Sequence, residues 1–146
     1  MFIDLREIAR KGKTEQSFYF EYSPTQELIS IPNVNLLGTI KITGKITLDK
    51  NHCAYLDMDL SYVLKGECTR CGSICEREYQ TDFSEYLSPQ NEFGYSVVND
   101  WVDLIKIIND VVLTDQPINF LCSDNCKGFC IGCGVNLNDG ECKCKK

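Results

Sequence analysis

Hydrophobic and polar residues alternate strictly along the central part of the chain. From residue 40 to residue 48 one side of the alternation is apolar or glycine, and the other side carries threonine and lysine. A period of two residues is typical of a β-strand with one buried and one solvated face. The alternation resumes from Ala54 to Leu64 after the turn signal Asp49-Lys50-Asn51, so these segments predict an antiparallel hairpin.

Two further strands are predicted beside this hairpin. Residues 16–22, QSFYFEY, alternate aromatic and polar side chains and end at Ser23-Pro24. A strand of about residues 76–87 returns after the turn CTRCGSIC at 68–75. Residues 1–11 are expected to form a short strand or a short helix. Consecutive strands with short connections favour an antiparallel meander with one apolar face.

Helical periodicity is confined to DLIKIINDVVLTDQP, residues 103–117. Its apolar residues fall on one stripe of a helix: Leu104, Ile107, Ile108, Val111 and Val112. Asp103 is a typical N-cap, and Pro117 ends the helix. We expect the stripe to cover the apolar face of the sheet, and Asp110 and Asp115 to be solvated rather than catalytic. The predicted fold class is therefore α+β, an antiparallel meander, with strong curvature as an option, covered by one amphipathic helix.

The composition adds ten cysteines, one histidine and a formal net charge of −6 in 146 residues. The length suits one domain, or one domain with a small appendage, and we expect a sheet-and-helix body at 1–117 and a cysteine-rich tail at 118–146. The start, MFIDLREIARKGK, lacks the basic-then-apolar order of a secretory signal, and no apolar run reaches the ~18 residues of a membrane span. These features predict a cytoplasmic protein, whose clustered thiols stay reduced.

Six of the cysteines lie in the tail, with the spacing C-x3-C-x3-C-x2-C-x8-C-x-C. They are Cys122, Cys126, Cys130, Cys133, Cys142 and Cys144. The C-x2-C pair followed by Gly134 lets two thiolates converge on one ion. We expect one structural Zn²⁺. Its firmest ligands are Cys126, Cys130 and Cys133, and the fourth comes from Cys122, Cys142 or Cys144.

The tail spacing leaves some alternatives open. Residues two apart in a strand lie about 6.5–7 Å apart, so Cys142 and Cys144 share an ion only where the chain bends. Six thiolates also suit a two-metal cluster, and an iron–sulfur cluster uses four cysteines. A closed all-cysteine site has no position for a catalytic water. The tail is therefore expected to be a structural or binding module.

Cys68 and Cys71 form a second C-x2-C, in the turn between two predicted strands. A thioredoxin-type motif lies between a strand and a helix, so this context argues against a redox pair. The pair is either reduced without metal, or it meets two tail cysteines and fixes the tail to the sheet. Cys53 and His52 lie at the opposite end of a strand of roughly 50 Å and are not expected to join it. The role of Cys75 stays open.

Four segments share a pattern with one protein family. They are MFIDLREIAR at the start, the Cys68-Thr-Arg-Cys turn, VDLIKIINDVVLTDQPINFLC from residue 102, and CSDNCKGFCIGCGVNLN from residue 122. Together they resemble the bacterial YceD-like family, the large ribosomal RNA subunit accumulation proteins, and the tail is similar to that of Gram-positive members. The chain departs from the family pattern at Gly72, Ile131 and residues 114–116, and none of these removes a candidate ligand.

The resemblance implies a cytoplasmic role in the synthesis, processing or stability of large-subunit ribosomal RNA, and it implies no catalysis. The residues contain no Ser-His-Asp set and no phosphate-cradling glycine loop. We expect a non-enzymatic accessory factor that binds a ribosome-assembly protein or large-subunit rRNA, with weak direct RNA contact because the chain is acidic. No membrane and no small-molecule substrate are expected. The alternative is a thiol redox or metal-handling protein that uses the cysteine clusters.

Overall fold

The computed structural model describes residues 1–25, 28–92 and 94–144. The last two positions of the predicted tail, 145 and 146, lie outside these ranges. The elements in chain order are β1 (Phe2–Asp4), α1 (Leu5–Arg10), β2 (Glu15–Tyr22), β3 (Val34–Leu48), β4 (Ala54–Glu67), β5 (Ile74–Leu87), β6 (Trp101–Asp103) and α2 (Leu104–Asp115). Strands β2, β3, β4 and β5 form one open sheet in chain order, and β1 pairs with β6.

The large sheet is the predicted antiparallel meander. Strand β4 pairs along its whole length, with Ala54 opposite Leu87 and Glu67 opposite Ile74 on the β5 side. Buried and more exposed residues alternate along β4 without a break. The β3–β4 register shifts once, between Leu37 and Lys41, where Gly38 has a φ of 76°. Such a bulge lets the apolar side of β3 stay on the buried face on both sides of the shift.

Helix α2 begins and ends where the sequence predicts. The carboxylate of Asp103 accepts a hydrogen bond from the Lys106 N–H at 3.3 Å, as an N-cap does. Its stripe shares one core with the inner face of the sheet through Leu104, Ile107, Ile108 and Val112. Asp110 and Asp115 each accept a hydrogen bond from a tyrosine hydroxyl. None of the helices in the described ranges combines the length and apolarity needed to cross a membrane.

The short β1–β6 sheet joins the start of the chain to α2. The Leu5 N–H donates to the Asp100 carbonyl at 2.9 Å, and the Leu104 N–H donates to the Met1 carbonyl at 3.1 Å. Both strands lead directly into a helix, so residues 1–11 contain a strand and a helix in sequence. The signal in the sequence is the matching pair FIDL and WVDL, in which an aspartate caps the helix that follows.

Gly44 of β3 occupies a position where the sheet leaves no room for a side chain. An added Cβ would lie 2.6 Å from the Phe18 ring and 2.7 Å from the Asp57 carbonyl. We expect Gly44→Ala to lower the free energy of unfolding by about 1–3 kcal/mol, the usual cost of overpacking, as measured by urea denaturation. The control is Thr43→Ala on the exposed face, with a change below about 0.5 kcal/mol. Equal stability of Gly44→Ala and the wild type would contradict this account of the packing.

Candidate metal centres

Four cysteine sulfurs come together where the β4–β5 turn meets the beginning of the tail. Cys68 and Cys71 belong to the turn, and Cys122 and Cys126 belong to the tail. All four Sγ atoms lie within 4.8 Å of one another. The Cys68 and Cys126 sulfurs are 3.8 Å apart, and the Cys71 and Cys122 sulfurs are 3.6 Å apart. We call these four residues the first sulfur group.

The tight backbone of the turn aims two of these sulfurs at the same point. The Gly72 N–H donates to the Cys68 carbonyl at 2.9 Å, and Gly72 has a φ of 77°, which favours glycine. The Cys68 N–H donates to the Ser73 carbonyl at 2.8 Å, which closes the turn. The Cys71 N–H points at the Cys68 sulfur at 3.5 Å. This is the geometry in which a C-x2-C turn presents both thiolates to one ion.

Direct hydrogen bonds hold the tail against this turn. The Thr69 N–H donates to the carbonyl of the buried Phe120 at 2.8 Å. The Arg70 guanidinium donates to the Cys126 carbonyl at 2.9 Å. The first sulfur group is therefore built from two segments about fifty residues apart in the chain, and its position depends on the sheet.

The remaining tail cysteines form a second sulfur group, consisting of Cys130, Cys133, Cys142 and Cys144. The Cys130 sulfur lies 3.1 Å from that of Cys142 and 3.7 Å from that of Cys144. The Cys144 N–H points at the Cys142 sulfur at 3.3 Å, so the chain bends here and both side chains face the same point. Three of the four residues are exposed, whereas Cys68 and Cys126 of the first group are buried.

The structure divides the tail cysteines differently from the sequence-based expectation of one ion. Cys126 lies with Cys68 and Cys71, not with Cys130 and Cys133, so the three residues expected to be the firmest ligands are split between the two groups. The reason is that the β4–β5 turn supplies two sulfurs beside the first half of the tail. The two turn cysteines do lie beside two tail cysteines, Cys126 and Cys122.

The other cysteines and the histidine stay outside both groups. Cys53 lies at the far end of β4, with its thiol 3.5 Å from the Asn51 carbonyl. The exposed His52 side chain hydrogen bonds to Asp100, a partner that the sequence did not indicate. Cys75 is half-buried and packs against the first sulfur group without being one of its four members. All ten cysteines are free thiols.

Hydrogen bonds to sulfur favour the thiolate form of two residues in the first group, Cys68 and Cys126. Burial raises the pKa of the Cys68 thiol, but backbone N–H donors, that of Cys71 foremost, outweigh it and bring the pKa to about 6. The Asn138 side-chain amide holds the pKa of the Cys126 thiol below its usual value. Burial, together with the neighbouring thiols, raises the pKa of Cys122 to about 12. Without a metal, the four sulfurs therefore share protons unequally.

The second group likewise contains a thiol with a lowered pKa and a thiol with a raised pKa. The Cys133 N–H and the Cys142 thiol lower the pKa of Cys130 to about 6. The Cys142 thiol raises the pKa of Cys144 to about 12. Because the thiolate is the form that binds metals, each group offers a deprotonated sulfur near neutral pH to an incoming cation.

The sulfur distances fit a tetrahedral metal site. A Zn–S bond of about 2.3 Å implies sulfurs about 3.8 Å apart, and the close sulfur pairs of both groups lie 3.1–3.8 Å apart. Four thiolates are a ligand set for Zn²⁺ or for iron in an iron–sulfur cluster. Each group can therefore hold a metal, and in a closed four-sulfur site no ligand position is left for a substrate.

Asn138 connects the two groups. In the sequence it lies between Cys133 and Cys142 of the second group. Its side-chain N–H nevertheless donates to the Cys126 sulfur of the first group at 3.3 Å. Its side-chain oxygen accepts from the Lys127 N–H at 2.8 Å. In the same loop, Asn136 donates to the Ser73 hydroxyl of the β4–β5 turn at 3.0 Å. The sequence signal for this support was VNLN, because asparagines in loops commonly bond to neighbouring backbone.

Comparison with known proteins returned one family and two curated relatives. The family model described as "Large ribosomal RNA subunit accumulation protein YceD" matches residues 56–146. Two plant proteins named "Large ribosomal RNA subunit accumulation protein YCED homolog 1, chloroplastic" are similar over a shorter stretch. The one from Arabidopsis thaliana is 42% identical over 43 residues, which are 30% of this chain and 13% of that protein. The one from Zea mays is 40% identical over 45 residues, 30% of this chain and 15% of that protein.

The matched stretch is thus a small share of both plant proteins, less than a sixth of either length. No solved structure matches the chain. The family match, in contrast, extends from β4 to the end of the tail and includes every cysteine of the two sulfur groups.

We expect Asn138→Ala to weaken metal binding in the first sulfur group about 10- to 100-fold, as loss of a supporting hydrogen bond to a metal ligand commonly does. The change removes the donor to the Cys126 sulfur and the acceptor of the Lys127 N–H. Zn²⁺ competition with a chromophoric chelator measures the affinity of each of the two sulfur groups. The control is Asn125→Ala, an exposed asparagine beside Cys126. Unchanged affinity of both groups would contradict the supporting role.

Proposed function

The chain belongs to the YceD family of large ribosomal RNA subunit accumulation proteins, and we propose that it is a non-catalytic accessory factor in the synthesis, processing or accumulation of large-subunit rRNA. The observation that carries the proposal is the family match over residues 56–146. That stretch contains most of β4, all of β5 and α2, and both sulfur groups. The family name describes the accumulation of an RNA and not a chemical reaction.

We assign one structural Zn²⁺ to each sulfur group, so the single zinc expected from the sequence becomes two. The support is the presence of four converging thiols in each group, at separations suited to tetrahedral coordination. Metal binding at such sites supplies folding energy, since the preformed site does not exist in the unfolded chain. In this proposal the body, 1–117, and the tail, 118–146, are joined by the first zinc.

We further propose that the factor acts in the cytoplasm through a ribosome-assembly protein or through weak contact with large-subunit rRNA. The net charge of −6 supports this preference, because tight direct binding to RNA draws on a surplus of basic residues. No membrane and no small-molecule substrate is part of the proposal.

A thiol redox function for Cys68 and Cys71 has less support. Each of these sulfurs lies within 4 Å of a tail sulfur, so the pair is half of a four-sulfur group. A redox dithiol requires an accessible thiolate, and both residues are buried. A metal store would release its metal readily, and competition with a strong chelator distinguishes that behaviour from structural zinc.

Two zinc ions per chain are expected in the purified protein, as counted by mass spectrometry of the metal content. Cys71→Ser and Cys142→Ser should each reduce the count to one, because each removes a ligand from a different group. The control is Cys53→Ser, which changes a cysteine outside both groups and should keep two. One zinc in the wild type, or iron in place of zinc, would contradict the assignment.

Depletion of this protein in its source organism should lower the amount of mature large-subunit rRNA relative to small-subunit rRNA, as measured by quantitative gel analysis of total RNA. The wild-type chain should restore the ratio, and Cys53→Ser should do so equally. Cys71→Ser should restore it less, because it loosens the junction between tail and sheet. An unchanged ratio after depletion would refute the proposed function.

A further inference from the structure

The large sheet has one face that no other described element covers. Its inner face shares the core with α2, whereas the opposite side of each strand is mostly exposed. We call this second side the outer face. One row runs straight across all four strands, with Tyr19 beside Thr43, Thr43 beside Asp59, and Asp59 beside Asp82. The row lies in the middle of the sheet.

The lysines of the outer face already have acidic neighbours. Lys45 forms an ion pair with Glu15 at 3.3 Å, and Lys65 forms one with Glu76 at 3.6 Å. Lys41 lies directly opposite Glu21 in the β2–β3 pairing, and its charge contributes to the lowered pKa of that carboxyl, after hydrogen bonds from threonine and tyrosine hydroxyls. The positive charge of this face is therefore balanced at its edges.

The central carboxylates are not balanced in this way. Asp59 and Asp82 are cross-strand partners, so their Cβ atoms lie about 5 Å apart on one face. Within the described ranges, no cation lies within 4.0 Å of either carboxylate. Like charges directly opposite each other lower the stability of a sheet. Lys41 and Lys45 line the hollows beside Asp59 without forming an ion pair with it. Carboxylates outnumber lysines on the outer face as a whole, so this face attracts positive charge from outside.

The shape of the face provides a seat for such a charge. Two adjoining hollows of about 710 and 520 Å³ share Tyr19, Thr43 and Asp59 as lining residues. Tyr19 is 61% exposed, and its hydroxyl donates to Glu21 at 3.1 Å, which holds the side chain on the outer face. An aromatic face beside carboxylates suits a guanidinium, which stacks on the ring while it donates to oxygen.

We propose that the outer face binds an arginine-rich basic segment of a partner protein, with Asp59 and Asp82 accepting its guanidinium donors and Tyr19 stacking on one of them. This rests on the proposed function in that it names the class of partner through which the accessory factor acts. RNA does not fit the same surface, because its phosphates would face the unbalanced carboxylates. The width of the four strands, roughly 14 Å, corresponds to four or five residues of an extended segment.

The test uses the full-length metal-loaded protein and a fluorescein-labelled nonapeptide of alternating arginine and glycine. Fluorescence anisotropy at 50 and 150 mM salt should show binding that weakens as salt rises. A glutamate–glycine peptide and a ten-nucleotide polyuridine RNA should not bind. Preferential binding of the RNA, or equal binding of both peptides, would overturn the proposal.

Variants locate the binding on the outer face. Asp59→Asn combined with Asp82→Asn should weaken binding of the arginine peptide at least tenfold. The same double change should not lower the midpoint of urea unfolding, because it removes a like-charge pair, and so loss of binding is separated from loss of folding. The control is Glu7→Gln with Glu92→Gln, which removes equal charge from exposed positions on α1 and in the loop after β5. Equal effects of the two double changes would overturn the proposal.

Tyr19→Ala tests the aromatic contact. The change should weaken binding of the arginine peptide several-fold more than binding of a lysine–glycine peptide of the same length, since a guanidinium stacks on an aromatic ring more readily than an ammonium group does. An equal loss of binding for the two peptides would remove Tyr19 from the proposed site.

The docking surface and the proposed function can fail separately. If the peptide does not bind but depletion of the protein still changes the rRNA ratio, only the docking surface is rejected. An unchanged ratio with intact peptide binding rejects only the proposed function.

Discussion

Two-sided pairing of β4 is the constraint on which the rest of the molecule depends. The strand pairs with β5 from Ala54 to Glu67 on one side and, apart from the bulge, with β3 from Ala54 to Gly66 on the other. Because side chains alternate between faces, a slip of one residue would move its entire buried set, every second residue from Ala54 to Gly66, into solvent. The register is therefore fixed by burial. It in turn decides what stands on the outer face and where the β4–β5 turn lies.

The sulfur groups follow from that register. The β4–β5 turn is held at the end of a rigid hairpin, and there it meets the tail that α2 delivers through the buried Phe120. The described tail beyond Phe120 buries almost no apolar side chain, so it lacks the hydrophobic core that holds the sheet. A small segment of this kind is usually stapled by metals or disulfides. In this tail, the cysteines that could bind such a metal are those of the two sulfur groups, and the first group joins the tail to the β4–β5 turn.

The two groups are unequal in their surroundings. The first is partly to fully buried and shared between sheet and tail, and the second is mostly exposed and formed by the tail alone. Asn138 connects the two groups. The loop that carries it runs between Cys133 and Cys142 of the second group, and its side-chain amide donates to the Cys126 sulfur of the first group. An ordered second sulfur group therefore helps to keep the first sulfur group ordered.

Much of the fold was predictable because its elements are long and strictly periodic. The strands and α2 follow from periods of two and 3.6 residues over a dozen positions, and Asp103 and Pro117 bound the helix by local chemistry. The β1–β6 pairing was not predictable in this way. Strands of three residues carry no measurable period, and only the tertiary fold brings the start of the chain to residue 101.

The sequence by itself determined the chemistry of the candidate site: closely spaced cysteines with no histidine among them, and hence a sulfur ligand set suited to a structural metal. Which sulfurs share a site was decided only by the tertiary structure. Cys126 is four residues from Cys130 in sequence, yet its partners are Cys68 and Cys71 across the β4–β5 turn. Spacing along the chain reports local geometry, whereas the meeting of turn and tail depends on the register of the whole sheet and on where α2 ends.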